Sequence, residues 1–291
     1  NCIRPAPVSV ATVGAIQSVN NAACATIGKM LEASETYAKE ATAVWHANHF
    51  AVFKFGRNQH GGEAIGIFTE TFAGAGGART FADGVDVGGE VPNPISRMAN
   101  VESVEAGFPI RYLFRRRMAD SGGAGKYRGG MGMEFGVVPH DSPDGGIHYV
   151  VSGKGDDFPM SDGLGGGYPG APNGYVWAHN NEVARNADSK FALSLDELPG
   201  EKEAVTWGVF PLMGEDALYI RWNGGGGYGD PLERDPQAVL DDVLAGVVSL
   251  DSARRLYGVA FVDGDNSVDA SKTEALRKEL TAARLTQEAA E

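Results

Sequence analysis

Cysteine is scarce in this sequence, which limits how the chain can be stabilised. Only Cys2 and Cys24 occur among 291 residues, and they do not form a C-x-x-C pair. Two cysteines cannot build a disulfide framework for a chain of this length, so a reducing compartment is the simpler interpretation. Cys24 lies beside the apolar stripe of a predicted helix, where a buried, inert thiol is a commoner role than a nucleophile.

Long apolar runs and an excess of positive charge are also absent. No uninterrupted apolar run approaches the ~20 residues that span a bilayer, and the sequence does not start with a basic region followed by an apolar core. Lysine and arginine number 25 against 38 aspartates and glutamates, which gives a formal net charge of -13. This charge argues against a nucleic-acid or anionic-membrane partner. We therefore expect an acidic, cytoplasmic protein.

Glycine, in contrast, is abundant, with 41 residues. Six of them fall within the thirteen residues 120–132, which read D-S-G-G-A-G-K-Y-R-G-G-M-G. This density excludes a regular helix, and it predicts turns with positive φ or main chain held against a ligand or another backbone. The nucleotide-binding pattern G-x-x-x-x-G-K-[ST] is not met, because Tyr127 follows Lys126.

Lys126 and Arg128 are the candidate anion-binding side chains of this stretch. An ammonium and a guanidinium suit a phosphorylated intermediate or bicarbonate, and Gly123 and Gly125 would let backbone N–H groups approach the same anion. The alternative is structural: Lys126 is solvated, and Arg128 pairs with a carboxylate such as Asp120. The sequence leaves both interpretations open.

Metal-binding patterns are incomplete. His46 and His49 would share one face of a helix, but the surrounding aromatic and branched residues favour a strand, and no H-E-x-x-H frame is present. His60 lies in a loop, and its role is open. The acidic residues of the stretch 83–90 lack the spacing of a calcium loop. We predict no metal site in this chain, with His46 and His49 as the remaining candidates.

Apolar patterns predict an α+β fold. From Val13, apolar residues recur every three or four positions, which predicts a long N-terminal helix. Between residues 105 and 222, short apolar runs follow one another without helical crossovers, which predicts a mostly antiparallel, β-rich body. Helical patterns return from Asp235. We predict a body at 1–234 that carries the glycine-rich loops, and a helical C-terminal segment at 235–291.

The predicted strands and core residues follow from the same runs. The strands are placed at 109–118, 133–138, 147–152, 175–179, 204–211 and 217–222, with a further strand in the second half of 43–55. The predicted core consists of Ile16, Ile27, Phe53, Phe55, Ile110, Leu113, Phe135, Val150, Val176, Val209 and Ile220.

Three motifs in a fixed order resemble the hydantoinase B / 5-oxoprolinase family. They are the stretch 120–132 given above, G-G-G-G-Y-G-D-P-L at 224–232, and D-V…G-V-V-S…A-R…Y-G-V at 242–259. The stretch 76–84 and the Pro-rich start are also similar, so the resemblance covers essentially the whole chain. It identifies the chain with the C-terminal half of a typical B-type subunit.

The resemblance implies a part in an ATP-dependent, multi-subunit enzyme. In this family an A-type subunit binds ATP and phosphorylates the carbonyl oxygen of the substrate, while the metal site lies in the N-terminal half of the B-type polypeptide. The implied partners are therefore an A-type subunit and that N-terminal half, in a hetero-oligomer. ATP and a divalent metal are expected on those partners.

Three functions agree with this resemblance. The first is ketone carboxylation of the acetone or acetophenone carboxylase type, and the second is ATP-dependent hydrolysis of a cyclic amide such as hydantoin, N-methylhydantoin or 5-oxoproline. The third is a non-catalytic scaffold, because family membership alone does not place the catalytic groups on this half. The stretches 93–102 and 112–117 look more like the carboxylase branch, so carboxylation is favoured, with the catalytic residues unknown.

Overall fold

The computed structural model describes residues 11–45, 52–68, 70, 74–90, 93–94, 98–142, 147–152, 158–179, 192–262 and 264–288. Five α-helices lie in these ranges: α1 (Ala11–Glu32), α2 (Val101–Gly107), α3 (Pro236–Leu244), α4 (Leu250–Arg255) and α5 (Ala270–Glu288). None of these helices is long and apolar enough to cross a membrane.

The described strands are β1 (Val52–Arg57), β2 (Glu63–Ile67), β3 (Gly89–Glu90), β4 (Asn93–Pro94), β5 (Ile110–Arg117), β6 (Met133–Pro139), β7 (Ile147–Ser152), β8 (Gly174–His179), β9 (Glu201–Ala204), β10 (Trp207–Leu212) and β11 (Ala217–Arg221). Sheet I has the order β10-β7-β1-β2 and sheet II the order β5-β6-β11-β8-β9, while β3 and β4 form a separate pair. All pairings between these strands are antiparallel. The α+β prediction is confirmed.

The two sheets pack face to face around an aromatic core. Tyr149 of sheet I meets Trp177 of sheet II with ring centroids 6.2 Å apart, and Phe68 meets Phe135 at 5.2 Å. Such tilted and edge-on pairs stabilise a core beyond the area that they bury. Ile110, Leu113, Phe135 and Ile220 are buried, as predicted.

Other predicted core residues lie outside the core. Phe55 and Val209 are 37% and 57% exposed, and both belong to the outer face of sheet I, with the half-buried Phe53 and Val150. The strands of sheet I are apolar on both faces, so hydrophobicity could not tell the inner face from the outer one. Ile27 of α1 is 54% exposed. Val176 is half-buried, and the side chain of Ile16 lies outside the described residues.

Two strand boundaries also differ from the prediction. The run predicted at 204–211 overlaps β10 from Trp207 onward and includes only the last residue of β9, which was not predicted as a strand. Strand β9 belongs to sheet II and β10 to sheet I, so the chain passes between the sheets at Val205 and Thr206. No Gly, Pro, Asn or Asp marks that passage, so the sequence contains no break signal there. Strand β2 was not predicted.

Side chains cap the N-terminal ends of helices α3 and α4. Asp235 precedes Pro236 and its carboxylate accepts a hydrogen bond from the backbone N–H of Gln237, while Ser249 caps α4 by accepting from Ser252. These side chains satisfy backbone donors that have no partner inside the helix. The division of the chain at residue 234 stays a prediction.

The glycine-rich stretches run side by side through the molecule. We use the name glycine bundle for residues 74–78, 121–132, 161–171 and 223–229. The amide of Gly123 donates to the carbonyl of Gly225 at 2.8 Å, Gly225 donates to Gly130 at 3.0 Å, and Gly130 donates to Gly76 at 2.9 Å. Each segment therefore forms hydrogen bonds with several neighbours. A strand in a sheet, in contrast, has one partner on each side.

Most glycine positions of the bundle require glycine because there is no room for a side chain, and not because their φ is positive. A Cβ atom added to Gly225 would overlap the carbonyl oxygen of Gly76, and one added to Gly129 would overlap that of Gly225. Neither residue has a φ in the left-handed region. The sequence predicted main chain held against a ligand or another backbone, and the structure shows backbone against backbone.

Replacing Gly225 with alanine should therefore be severely destabilising. Side-chain overpacking already costs about 1–3 kcal/mol, and here the neighbouring atom is rigid backbone. We expect the free energy of unfolding, measured by urea denaturation, to fall by more than ~3 kcal/mol. Gly107→Ala is the matched control, since no atom lies within 4 Å of its added Cβ. Equal stability of the two variants would contradict the packing argument.

Candidate functional site

The predicted anion-binding loop lies inside the glycine bundle, between β5 and β6. Gly123 uses its amide for the hydrogen bond to Gly225. A Cβ on Gly125 would lie 2.6 Å from the carbonyl oxygen of Tyr127 and 2.7 Å from the backbone of Tyr228. Both glycines therefore allow close packing of neighbouring main chain.

Arg128 reaches into a group of carboxylates. Its side chain is only 11% exposed, with Nη1 3.0 Å from Asp86 Oδ1 and Nε 3.2 Å from Asp242 Oδ1. Its backbone N–H donates to Asp83 at 2.8 Å. The predicted alternative partner, Asp120, instead accepts a hydrogen bond from the backbone of Ser249 at 2.8 Å. Arg128 thus has structural carboxylate partners, though not the one named from the sequence.

A second arginine completes what we call the arginine–aspartate network. The side chain of Arg234 is 4% exposed and forks onto Asp83, with nitrogen–oxygen distances of 2.7 and 2.8 Å. Its Nη2 also lies 2.7 Å from Asp242 Oδ2. Such two-pronged contacts are among the stronger ion pairs in proteins. Because Arg234 and Asp242 lie at and beyond the predicted boundary at 234, the network joins the body to helix α3.

The arginines and aspartates of the network shift each other's pKa through their charges. Burial acts to raise the pKa of Asp83, but hydrogen bonds and charge from Arg234, together with Arg128, lower that pKa overall. Burial likewise acts to lower the pKa of Arg128, and the charges of Asp86 and Asp242 raise it. Arg128 and Arg234 therefore stay cationic, and the carboxylate of Asp83 stays ionised, at neutral pH.

Lys126 is placed differently from Arg128. Its side chain is 45% exposed, and its Nζ lies 3.3 Å from Glu233 Oε2, a carboxylate that is itself 62% exposed. An ion pair of this kind contributes little to stability, so the ammonium can exchange Glu233 for another anion. Of the two predicted cations, Lys126 is the one with access to solvent.

Sequence reasoning missed a second polar cluster, which lies between the two sheets. Lys54 is 1% exposed, and its Nζ lies 4.3 Å from the ring centroid of Phe68 and 4.1 Å from that of Phe108. Glu70 is fully buried and accepts hydrogen bonds from the hydroxyl of Tyr112 at 2.7 Å and from Arg115 Nη1 at 3.0 Å. A lysine between two phenylalanines, in the apolar first half of strand β1, was the signal available in the sequence.

This cluster contains groups with unusual protonation. Burial lowers the pKa of Lys54 to about 8, although the charge of Glu70 acts in the opposite direction. Burial and Glu70 both raise the pKa of Tyr112. Glu70 Oε2 and the Tyr149 hydroxyl, both buried, have no hydrogen-bond partner among the described residues. The cluster therefore combines an amine that titrates near pH 8 with a buried carboxylate.

The described residues do not fit a divalent metal. They contain no group of three or more His, Cys, Asp and Glu side chains that could hold an ion. The carboxylates of Asp83 and Asp86, which belong to one stretch of chain, face arginines. His60 is exposed in a turn, whereas His46 and His49 lie outside the described residues. We therefore assign no metal ligands to this part of the chain.

The sequence and the fold match a known class of enzyme subunits. The sequence pattern of the Hydantoinase B/oxoprolinase family matches residues 1–231, and the chain belongs to that family. It is 32% identical over 237 residues to the acetone carboxylase alpha subunit of Xanthobacter autotrophicus, an alignment that covers 74% of this chain and 30% of that subunit.

Two solved structures have the same architecture. The nucleotide-free structure of acetone carboxylase, an enzyme of ATP-dependent acetone carboxylation, matches with a TM-score of 0.77 and 28% identity over 89% of this chain and 37% of the other. The ATP-dependent caprolactamase from Pseudomonas jessenii matches with a TM-score of 0.63 and 26% identity over 84% and 40%. The chain thus spans between 30% and 40% of the length of these relatives.

From the arginine–aspartate network we expect that removing Arg128 and removing Lys126 lower the stability of the fold by different amounts. Arg128→Ala leaves carboxylates with too little positive charge in a largely buried site, so we expect the free energy of unfolding to fall by about 3 kcal/mol or more. Lys126→Ala, which removes an exposed pair, should change it by less than ~1 kcal/mol. Urea denaturation at pH 7 measures both. A change for Arg128→Ala as small as that for Lys126→Ala would contradict the network's structural role.

Because Lys54 is buried, we expect the stability of the fold to depend on pH. The pKa of Lys54 is lower in the folded chain than in the unfolded one, so the unfolded state binds more protons between about pH 8 and 10.5. Lys54 therefore destabilises the fold most below pH 8, and stability rises with pH through that window. The two aromatic faces offset part of this cost.

Lys54→Met should accordingly raise the free energy of unfolding at pH 7 by about 1–3 kcal/mol. The gain should shrink as the pH approaches 10.5. Urea denaturation at several pH values measures it, with Lys202→Met in the exposed strand β9 as the control. A difference between Lys54→Met and the native chain that is constant across this window would show that Lys54 does not titrate there.

Proposed function

We propose that this chain is part of the B-type subunit of an ATP-dependent enzyme complex that carboxylates a ketone of the acetone or acetophenone type. The observation that carries the proposal is the structural likeness to acetone carboxylase, which extends over most of the chain and has the higher TM-score of the two solved structures. The identity to the alpha subunit of acetone carboxylase supports the same assignment.

The proposed chemistry divides the reaction between subunits. An A-type partner binds ATP and transfers a phosphoryl group from it to the carbonyl oxygen of the substrate. A P–O bond of ATP breaks and the nucleotide leaves, while the ketone loses an α-proton, so that an unreactive ketone becomes an activated enol phosphate. The B-type subunit then provides the site where the activated carbon reacts. ATP and a divalent metal are assigned to the partner and to the remainder of the B-type subunit, as the resemblance to the family implies.

Within this complex we assign Lys126 as the anion contact of the chain. Its ammonium has only an exposed carboxylate as partner, so a phosphorylated intermediate or bicarbonate can replace Glu233. Arg128 is a positioning residue in this proposal, since its guanidinium is held by Asp86 and Asp242. The arginine fixes the loop that presents the lysine.

Cyclic-amide hydrolysis is the second candidate function. The likeness to an ATP-dependent caprolactamase supports it, and phosphorylation of an amide oxygen would activate a lactam by the same logic. A scaffold without catalytic groups is the third candidate, and the backbone packing of the glycine bundle agrees with it.

The purified complex should separate the first two functions. We expect ATP hydrolysis to depend on a ketone together with bicarbonate, and to stay at background with hydantoin or caprolactam. Phosphate release measured in parallel for both substrate sets tests this, with complex lacking the A-type subunit as the control. Hydrolysis driven by the cyclic amide and not by the ketone would establish the second function instead.

The same assay tests the role of Lys126. Loss of one charged contact of ~1.5–3 kcal/mol lowers turnover about tenfold or more, so Lys126→Ala should do so while the complex still assembles. Lys202→Ala is the matched control, because Lys202 is also an exposed lysine. If turnover survives Lys126→Ala, the loop is architectural and the reaction takes place on other chains.

A further inference from the structure

The outer face of sheet I is apolar, although it is open to solvent among the described residues. Two rows of side chains cross the four strands in register: Ile67, Phe53, Val150 and Val209 form one row, and Ile65, Phe55, His148 and Pro211 form the next. Ile65 is 77% exposed, Val209 57% and Phe55 37%. The ring of Phe55 stacks on that of His148, with centroids 5.3 Å apart.

The opposite face of the same sheet is apolar as well, apart from the buried Lys54. Val52, Tyr149, Val151 and Leu212 point inward and are buried in the core against sheet II. An antiparallel sheet with one face in water alternates apolar and polar side chains, whereas strands that are buried on both faces read as continuous apolar runs. Sheet I therefore has the sequence of a sheet that is covered on both sides.

Charged residues lie at the end of this face rather than at its centre. The next pair along β1 and β2 is Arg57 opposite Glu63, and both residues are exposed. An apolar centre with charged groups at its edge is the usual anatomy of a protein interface. A contiguous apolar patch of this kind is often functional.

The size of the face indicates what kind of partner covers it. Strands about 4.8 Å apart and residue pairs about 7 Å apart give two to three rows an area on the order of 300–400 Å². A stable complex between separate proteins buries about 800 Å² on each partner. A second copy of the chain docked on this face alone would therefore be too weakly held, so the covering element must be anchored by further contacts.

The relatives have the polypeptide that such anchoring requires. This chain spans between 30% and 40% of their length, and a second apolar surface on helix α1 is also open, with Val19 and Met30 exposed by 66% and 68%. We propose that the outer face of sheet I is the docking surface for the part of the B-type subunit that lies outside these 291 residues. That part covers Phe55, Ile65 and Val209 with an apolar element. The inference rests on the proposed subunit composition but not on the reaction.

Photo-crosslinking in the assembled complex tests this inference. A benzophenone amino acid is placed at Ile65, the most exposed residue of the face, and the complex is irradiated and digested for mass spectrometry. The same amino acid at Leu250, which is 54% exposed on helix α4, serves as the control. We expect a crosslinked peptide from the remainder of the B-type subunit at position 65 and none from it at position 250.

Each other outcome would overturn the inference. A crosslink from position 65 to a second copy of this chain, to the A-type subunit or to this chain itself assigns the face to another occupant, and an efficient reaction with water alone leaves the face uncovered. The crosslink requires no turnover, so a complex that hydrolyses ATP with neither substrate can still give the expected peptide. Failure of the proposed reaction and failure of this docking surface are thus distinguishable.

Charge placed on the face gives a second, independent measurement. The double variant Ile65→Glu, Val209→Glu should lower recovery of the tagged remainder of the subunit at least tenfold, because two carboxylates would be buried in an apolar contact. Leu250→Glu should leave recovery unchanged. The denaturation midpoint of each free chain shows whether it still folds, since both substituted positions are exposed. Undiminished recovery of the double variant would contradict the proposal.

Discussion

The lack of a Cβ atom at the glycines of the four stretches in the glycine bundle is the constraint on which the rest of the structure depends. Where a side chain would overlap a neighbouring carbonyl, as at Gly129 and Gly225, glycine allows main chains to approach to hydrogen-bonding distance. The bonds satisfy backbone polar groups that would otherwise be buried without partners. They also offset the large entropy that glycine loses on folding.

The arginine–aspartate network depends on that bundle. Arg128 belongs to the bundle and is followed by Gly129 and Gly130, and Asp83 and Asp86 are brought to it by the neighbouring stretch. Arg234 and Asp242 then tie helix α3 to the same carboxylates and guanidinium groups. Charges removed from water need this density of partners, because an unpaired one would cost several kcal/mol. The network therefore fixes where the C-terminal helices lie.

Apolar residues cover both faces of sheet I, but the two faces differ in what they contact. The inner faces make a core of stacked and tilted aromatic rings, and the buried pair of Lys54 and Glu70 sits at its margin beside Phe68 and Phe108. The outer face of sheet I is as apolar as the core and yet exposed. Hydrophobic burial is thus incomplete in the described chain, which agrees with a subunit that finishes folding against a partner.

The sequence by itself determined the fold class, most strands, the capped helices and the family, because alternation, capping residues and glycine density are local signals. Only the tertiary structure decided which face of an apolar strand is inside, since period-two patterns vanish when both faces are apolar and Phe53, Phe55 and Val209 then look like core. It also decided the partners of Arg128, because Asp86 and Asp242 are far away in the chain and their approach depends on the packing of the bundle. The lowered pKa of Lys54 was decided by the tertiary structure for the same reason, because burial among its neighbours lowers that pKa and the residue type alone does not.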